Sequence, residues 1–138
     1  MRVFLDTNVL VSAFATRGIC ADILSAILAE HQLILGETVL SELRRILRDK
    51  FKVPAAAVDE TVSFLRREAV VMSTSADLQV PIRDPNDVPV LGEAAQGLAD
   101  VLVTGDKDLL EIDALVPLQV LSPRGFWDLL RAEPDTRE

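Results

Sequence analysis

The sequence predicts a single α/β domain: a mostly parallel sheet covered by helices in a three-layer α/β/α arrangement. Short apolar segments typical of buried strands alternate with amphipathic segments of helical period. The chain has 138 residues, the commonest size for one domain, and no repeat or change of composition marks a second. Apolar residues make up 49% and aromatic residues only 4%, so we expect an aliphatic core.

The first half of the chain contains two strand–helix units. An apolar run ends at Asp6, after which Thr7 and Asn8 favour the start of a helix. Gly18 separates this helix from the next, and Gly36 closes the second strand. The predicted strands are Arg2–Leu5 and 32–35, and the predicted helices are 7–14, Ile19–Glu30 and 38–50.

The second half continues the alternation. Pro54 ends the preceding helix, and the Pro- and Asp-rich segment 81–87 is typical of a loop. The polar segment 132–138 is expected to be a frayed tail of the single domain 1–138. The predicted strands are Ala69–Met72, 100–104 and 118–121, and the predicted helices are 58–68, 88–97, a short one from Asp106, and one from Ser122 through Leu130.

Composition excludes several classes of protein and site. One cysteine, Cys20, allows no internal disulfide, and a single histidine, His31, leaves too few ligands for a structural zinc site. The N-terminus has no room for the apolar region of a signal peptide before its first acid. No uncharged apolar run approaches the ~20 residues that span a bilayer, so we expect a cytoplasmic protein.

Net charge is −8, which by itself argues against a nucleic-acid partner. Acids that surround a metal ion are largely neutralised when the ion binds, so the total overstates the repulsion of phosphate. Five cations also crowd into nine residues, and they form either a solvated helix face or a phosphate track: Arg44, Arg45, Arg48, Lys50 and Lys52.

Four acids are expected to converge on one edge of the sheet. Ligands of such sheets bind outside the carboxyl ends of the strands. Asp6 ends the first strand, and Asp106 follows strand 100–104 after one glycine. Asp87 begins the helix that runs into this same strand, and Glu42 lies one turn into the helix after the second strand.

Carboxylates gathered without lysine or arginine raise one another's pKa and resist burial, so a bound cation is the simplest compensation. Ligands that offer only oxygen select hard ions such as Mg²⁺ or Mn²⁺. Two such ions about 4 Å apart are a common clamp for phosphoryl displacement. Each acid alone also has a structural interpretation, as a helix cap or an exposed side chain.

Taken together, four motifs resemble a PIN domain, of the compact kind found as toxins of toxin–antitoxin pairs. The resemblance runs from the first strand to Phe126. The motifs are Val3-Phe4-Leu5-Asp6-Thr7-Asn8-Val9-Leu10, Leu40-Ser41-Glu42-Leu43, Arg83-Asp84-Pro85-Asn86-Asp87 and Leu102-Val103-Thr104-Gly105-Asp106-Lys107-Asp108-Leu109-Leu110.

This resemblance implies an endoribonuclease that depends on Mg²⁺ or Mn²⁺ and hydrolyses RNA phosphodiester bonds. It also implies a homodimer and a cognate antitoxin. The catalytic and metal-binding positions by motif match are Asp6, Glu42, Asp87 and Asp106. Thr104 matches the family's hydroxyl beside the fourth acid, Asn8 the polar residue that holds the first acid, and Asp84 either a supporting acid or a helix cap.

Arg17, Arg83 and Lys107 are the candidates for binding substrate, because they lie near the acids in sequence. One tryptophan and no tyrosine provide poorly for the stacking of RNA bases.

Alternative interpretations belong to other classes. A PIN-like module that binds RNA or protein without cutting would retain the same fold. A haloacid-dehalogenase-like phosphatase needs a second aspartate two residues after the first, where this chain has Asn8. A receiver-like regulator needs a pair of acids near the first strand's end, where only Asp6 is available.

Overall fold

A computed structural model describes residues 1–73, 87–111 and 118–132, and of residues 87–89 it describes the backbone. The strands are β1 (Arg2–Leu5), β2 (Gln32–Gly36), β3 (Ala69–Met72), β4 (Val101–Val103) and β5 (Gln119–Leu121). The helices are α1 (Thr7–Ala15), α2 (Ile19–Glu30), α3 (Glu37–Asp49), α4 (Ala55–Glu68), α5 (Asp87–Gln96), α6 (Lys107–Leu110) and α7 (Pro123–Ala132).

The five described strands form one sheet in the order β3-β2-β1-β4-β5, and all four pairings are parallel. The predicted α/β/α class is therefore confirmed. From β1 the chain first adds β2 and β3 on one side and then β4 and β5 on the other. The sheet therefore has a switch point between β1 and β4. At such a point the connections leave on opposite sides and open a crevice at the carboxyl ends of the strands.

Strand register puts the ends of β1 and β4 at one level. Leu5 pairs with Val103, and the Asp6 amide then donates to the Val103 carbonyl at 3.0 Å. The Thr104 amide in turn donates to the Leu121 carbonyl at 2.9 Å. Asp6 and Thr104 therefore leave neighbouring strands side by side, at the mouth of the crevice.

The core is aliphatic, as predicted, and it holds the strand ends in fixed positions. Phe4 and Leu5 of β1 are fully buried, as are Leu102 and Val103 of β4. Near-complete burial removes several tens of square ångströms of apolar surface per side chain from water, worth about 1.5–3 kcal/mol each. The two strands that lead into the site are thus among the best-anchored parts of the chain.

Several boundaries differ from the prediction by one to three residues, and two of these differences have identifiable reasons. Helix α4 begins at Ala55, three residues early, because Pro54 stands at the N-cap with φ −58° and three strong helix formers follow it. Strand β4 begins after Asp100, whose carboxylate accepts a hydrogen bond from the Arg2 amide at 2.8 Å. The predicted loop 81–86 and the tail 133–138 lie outside the described residues.

No single helix in the described part of the chain is long and apolar enough to cross a membrane; only α1 and α2 together, across a bend of 102°, have the length and composition.

Candidate active site at the carboxyl edge of the sheet

Asp6 is a buried acid at the end of β1, with 6% of its surface exposed. It stands at the N-cap of α1, in extended backbone conformation, and its Oδ1 accepts a hydrogen bond from the Thr7 amide at 2.8 Å. Its Oδ2 accepts from the Thr104 hydroxyl at 2.7 Å and from Asn8 Nδ2 at 3.3 Å. The carboxylate is therefore held in one orientation by three donors.

Thr104 connects the first acid with the fourth. Its side chain is fully buried directly after β4. The hydroxyl donates to Asp6 and accepts from the Asp106 amide at 3.0 Å, so one oxygen fixes both the carboxylate of one acid and the backbone of the other.

Asn8 makes a second connection across the switch point. Its Nδ2 contacts Asp6, and its Oδ1 accepts from the Gly105 amide at 3.0 Å. The first turn of α1 and the loop after β4 are thus joined through one exposed side chain. Asn8 therefore contacts both the first acid and the loop that leads to the fourth, while its role in the site stays a prediction.

Asp106 both caps a helix and faces the site. Its Oδ1 accepts from the Asp108 amide at 2.8 Å, at the start of the four-residue helix α6. Capping of this kind uses one carboxylate oxygen. The structural and functional interpretations of Asp106 are therefore compatible.

Glu42 joins the group from α3. Its Oε2 accepts a hydrogen bond from the Thr7 hydroxyl at 2.9 Å. Thr7 is buried, and its amide serves Asp6 while its hydroxyl serves Glu42. In the sequence, Thr7 is predicted only as part of a helix start, and the signal for its second role is a hydroxyl directly after the first acid.

Within the described residues, the electrostatics of the site are set by carboxylates that have no cationic partner. Burial raises the pKa of Asp6, hydrogen bonds from Thr104 and Thr7 oppose the rise, and the charges of Glu42 and Asp106 add to it. Across residues 1–73, 87–111 and 118–132, no ion pair includes Asp6, Glu42 or Asp106. Glu42 and Asp106 each repel Asp6, and no arginine or lysine among the described residues pairs with these acids.

The set of donors fits a hard cation in its chemistry, since it offers carboxylate oxygens that lack compensating charge. Within the described part of the chain, however, no three His, Cys, Asp or Glu side chains are grouped so that they could hold a metal ion. Asp87 begins α5 with only its backbone described. The structure brings Asp6, Glu42 and Asp106 to one corner without closing them into a cage.

The remaining predicted residues are either exposed or outside the described part of the chain. Arg17, between α1 and α2, and Lys107, at the start of α6, are both exposed. Arg83 and Asp84 lie outside the described residues.

Comparison with known protein families gives one match that includes these residues. A family model described as a PIN domain matches residues 2–108, which include all four predicted metal-site acids. No curated protein sequence matches the chain significantly.

Two solved structures share the fold. One is VapBC2 from Rickettsia felis bound to a DNA fragment from their promoter, with a TM-score of 0.60 and 16% identity. The match covers 88% of this chain and 98% of that one. The other is VapBC-1 from nontypeable Haemophilus influenzae, with a TM-score of 0.62 and 20% identity over 90% of this chain and 99% of that one.

The family model spans most of the chain and contains both strand ends that build the site, and the fold agrees with it. The chain therefore belongs to the PIN domain family.

Proposed function

We propose that this protein is an endoribonuclease that hydrolyses RNA with the help of Mg²⁺ or Mn²⁺. One observation carries the proposal: Asp6, Glu42 and Asp106 meet at the carboxyl edge of the sheet, at its switch point, with no cation paired to them among the described residues. Such an arrangement costs stability, and binding a divalent cation is the activity that best accounts for it.

Asp6, Glu42, Asp87 and Asp106 would hold the ion. When bound, it lowers the pKa of a coordinated water and offsets charge on the attacking and leaving oxygens of the phosphodiester. Thr104 and Asn8 keep the Asp6 carboxylate in a fixed orientation, so that little reorganisation is needed on binding. Asp84 is proposed to support this set, and one carboxylate accepts the proton of the attacking water.

Three cationic side chains are proposed to contact the RNA: Arg17, Arg83 and Lys107. Phosphate contacts of this kind would position the strand without reading its sequence.

We further propose that the chain is the toxin of a toxin–antitoxin pair, acting in the cytoplasm as a homodimer. The two solved structures compared above are both VapBC assemblies, and this chain spans nearly the whole length of each matched chain. A small antitoxin would then bind and silence it. Co-expression with the product of a short neighbouring reading frame should give a complex that copurifies and does not cut RNA.

The direct test is cleavage of pooled cellular RNA by the purified protein. We expect Mn²⁺- or Mg²⁺-dependent fragments that EDTA abolishes, and at least a ~100-fold loss of rate in Asp6→Asn, since loss of supporting groups alone costs 10–100-fold. Asp59→Asn is the matched control, because Asp59 is an exposed aspartate on α4 that pairs with Arg44 and with no acid of the site among the described residues. Undiminished cleavage by Asp6→Asn would defeat the assignment.

A second candidate is a PIN-like module that binds RNA or protein but does not cut. It is favoured by the acids not closing into a cage within the described residues. Tight RNA binding without fragments, at any concentration of either metal, would select this function.

A further inference from the structure

Glu93 is a buried acid that the proposed function has not used. It lies on α5, with 1% of its surface exposed. Its Oε2 accepts hydrogen bonds from the amide and the hydroxyl of Thr38, at 3.3 and 3.1 Å. No ion pair includes Glu93 among the residues that the structure describes. A carboxylate buried in this way needs a specific compensation.

The N-terminus of α3 compensates one of the two carboxylate oxygens, Oε2, whereas Oε1 has no hydrogen-bond partner among the described residues. Thr38 is the second residue of that helix, whose first amides have no partner within the helix. A negative charge placed there also meets the favourable end of the helix dipole. Glu93 therefore caps α3 from a different helix.

Gly36 explains why a cap from outside is needed. It is the N-cap residue of α3 and provides no side chain to accept from the helix. Its φ of −127° suits any residue, so backbone freedom does not require glycine here. A Cβ at this position would lie 1.9 Å from Glu93 Oε1. The Glu93 carboxylate thus occupies the space in which an N-cap side chain would stand.

This cap lies on the same helix face as a site acid. Thr38 and Glu42 are four residues apart on α3, a spacing that puts both on one side of the helix. Glu42 accepts from Thr7, which also holds Asp6. The placement of the first turn of α3 consequently sets where Glu42 meets the other acids.

We propose that Glu93 is a positioning residue that fixes Glu42 by capping α3 across the Gly36 gap; the inference rests on the proposed metal-dependent function. It predicts that an acceptor at position 36 can replace Glu93, provided that the overlapping carboxylate is removed at the same time.

The test uses the full chain and two measurements: Mn²⁺ affinity followed by electron paramagnetic resonance, and amide hydrogen exchange at Thr38, Val39 and Leu40. Glu93→Ala and Gly36→Ser should each speed exchange there and weaken Mn²⁺ binding about tenfold, the lower end for groups that support metal ligands. The double variant Gly36→Ser/Glu93→Ala should recover most of both, because serine is a preferred N-cap.

A second double variant, Gly36→Ala/Glu93→Ala, separates capping from packing. It relieves the overlap but offers no acceptor, so we expect both properties to stay impaired. Equal recovery in the two double variants would overturn the proposal, as would unchanged exchange and affinity in Glu93→Ala. Glu93→Gln retains an oxygen for Thr38 and covers the case in which Glu93→Ala does not fold. Its amide exchange and Mn²⁺ affinity should stay close to those of the parent protein. Impairment as large as that of Gly36→Ser would count against capping.

Failure of the proposed function gives a different result. A parent protein that binds no Mn²⁺ would overturn the metal-dependent nuclease. Exchange at the first turn of α3 would still decide whether Glu93 caps that helix.

Discussion

Two groups of acids in this molecule have opposite surroundings. On the outer face of α3 and α4, each of three exposed acids pairs with an arginine: Glu37 with Arg66, Asp59 with Arg44, and Asp49 with Arg48. At the carboxyl edge of the sheet, Asp6, Glu42 and Asp106 are held by hydroxyl and amide donors.

The directions of the pKa shifts express the difference. Hydrogen bonds from Arg66 lower the pKa of Glu37, whereas burial raises that of Asp6 and its acidic neighbours add to the rise. Exposed ion pairs add little to the stability of a fold, whereas neighbouring acids without a cationic partner repel one another and reduce that stability. Acids without a cationic partner are typical of functional sites, whereas acids paired with arginine are typical of exposed surfaces.

The largest expected effect comes from two single substitutions on α3, one in each group of acids. Glu42→Gln should lower the rate of RNA cleavage at least ~100-fold, more than the 10–100-fold typical of groups around a metal ligand. Glu37→Gln, five residues earlier on α3, should leave the rate within about twofold, because exposed pairs of this kind have little energetic effect.

Measured side by side at saturating Mn²⁺, equal losses in the two variants would mean that charge on α3 in general, and not the site, governs activity. Circular dichroism of both variants controls for the fold.

Next in size is the hydroxyl that joins Asp6 to Asp106. Thr104→Val has nearly the same shape but cannot donate to the carboxylate or accept from the Asp106 amide. We expect a ~10–100-fold loss of cleavage rate or Mn²⁺ affinity. Thr104→Ser, which keeps the oxygen, should retain most of both, and a serine variant as poor as the valine variant would show that the methyl group matters instead.

The fold and the closeness of Asp6, Glu42 and Asp106 at one edge of the sheet followed from local patterns with known geometry, whereas the place of Asp87 in the site stays a prediction. Asp6 was predictable because an apolar run stops at an acid, and the carboxyl ends of parallel strands share an edge. Asp106 followed from the same rule applied to β4. Glu42 needed the helical period of α3 as well, since only the period indicates which side of the helix faces the sheet.

What the sequence did not indicate depends on contacts between distant segments. The second role of Thr7 requires α3 to pack beside α1, and the cap on α3 requires Glu93 to come from 55 residues away. An acid in a largely apolar helix is ordinarily taken for an exposed residue. Gly36 looked like a strand end, and its close approach to Glu93 became visible only with both helices in place.

A smaller effect concerns stability without metal. The pKa of Asp6 is raised in the folded state, so its contribution to stability is present at low pH and is lost as pH rises through that value. Asp6→Asn should therefore have the higher free energy of unfolding at neutral pH in EDTA. Asparagine is also a good N-cap, so α1 keeps its start.

The advantage of Asp6→Asn should shrink as pH falls toward the ordinary aspartate pKa of 3.8. Excess Mn²⁺ should reverse the order, because binding at 100 times Kd adds about 2.7 kcal/mol to the parent protein alone. Urea unfolding with and without Mn²⁺ measures both. A parent protein more stable than Asp6→Asn in EDTA at neutral pH would contradict the repulsion inferred at the sheet edge.

The smallest expected effect lies in the paired group. Arg66 donates to both oxygens of Glu37, at 2.7 and 2.8 Å, yet both side chains are more than 40% exposed. A double-mutant cycle with Glu37→Ala and Arg66→Ala should give a coupling of about 0.2–1 kcal/mol at pH 7, decreasing with salt. Since the pKa of Glu37 is lowered, this contribution is present above its usual value of 4.5 and disappears as pH falls below it. The contribution of Asp6 to stability has the opposite pH dependence. Measuring the free energy of unfolding of both sets of variants as pH is lowered therefore tests both groups of acids. Parallel trends would mean that the two groups of acids do not differ in the way their contacts imply.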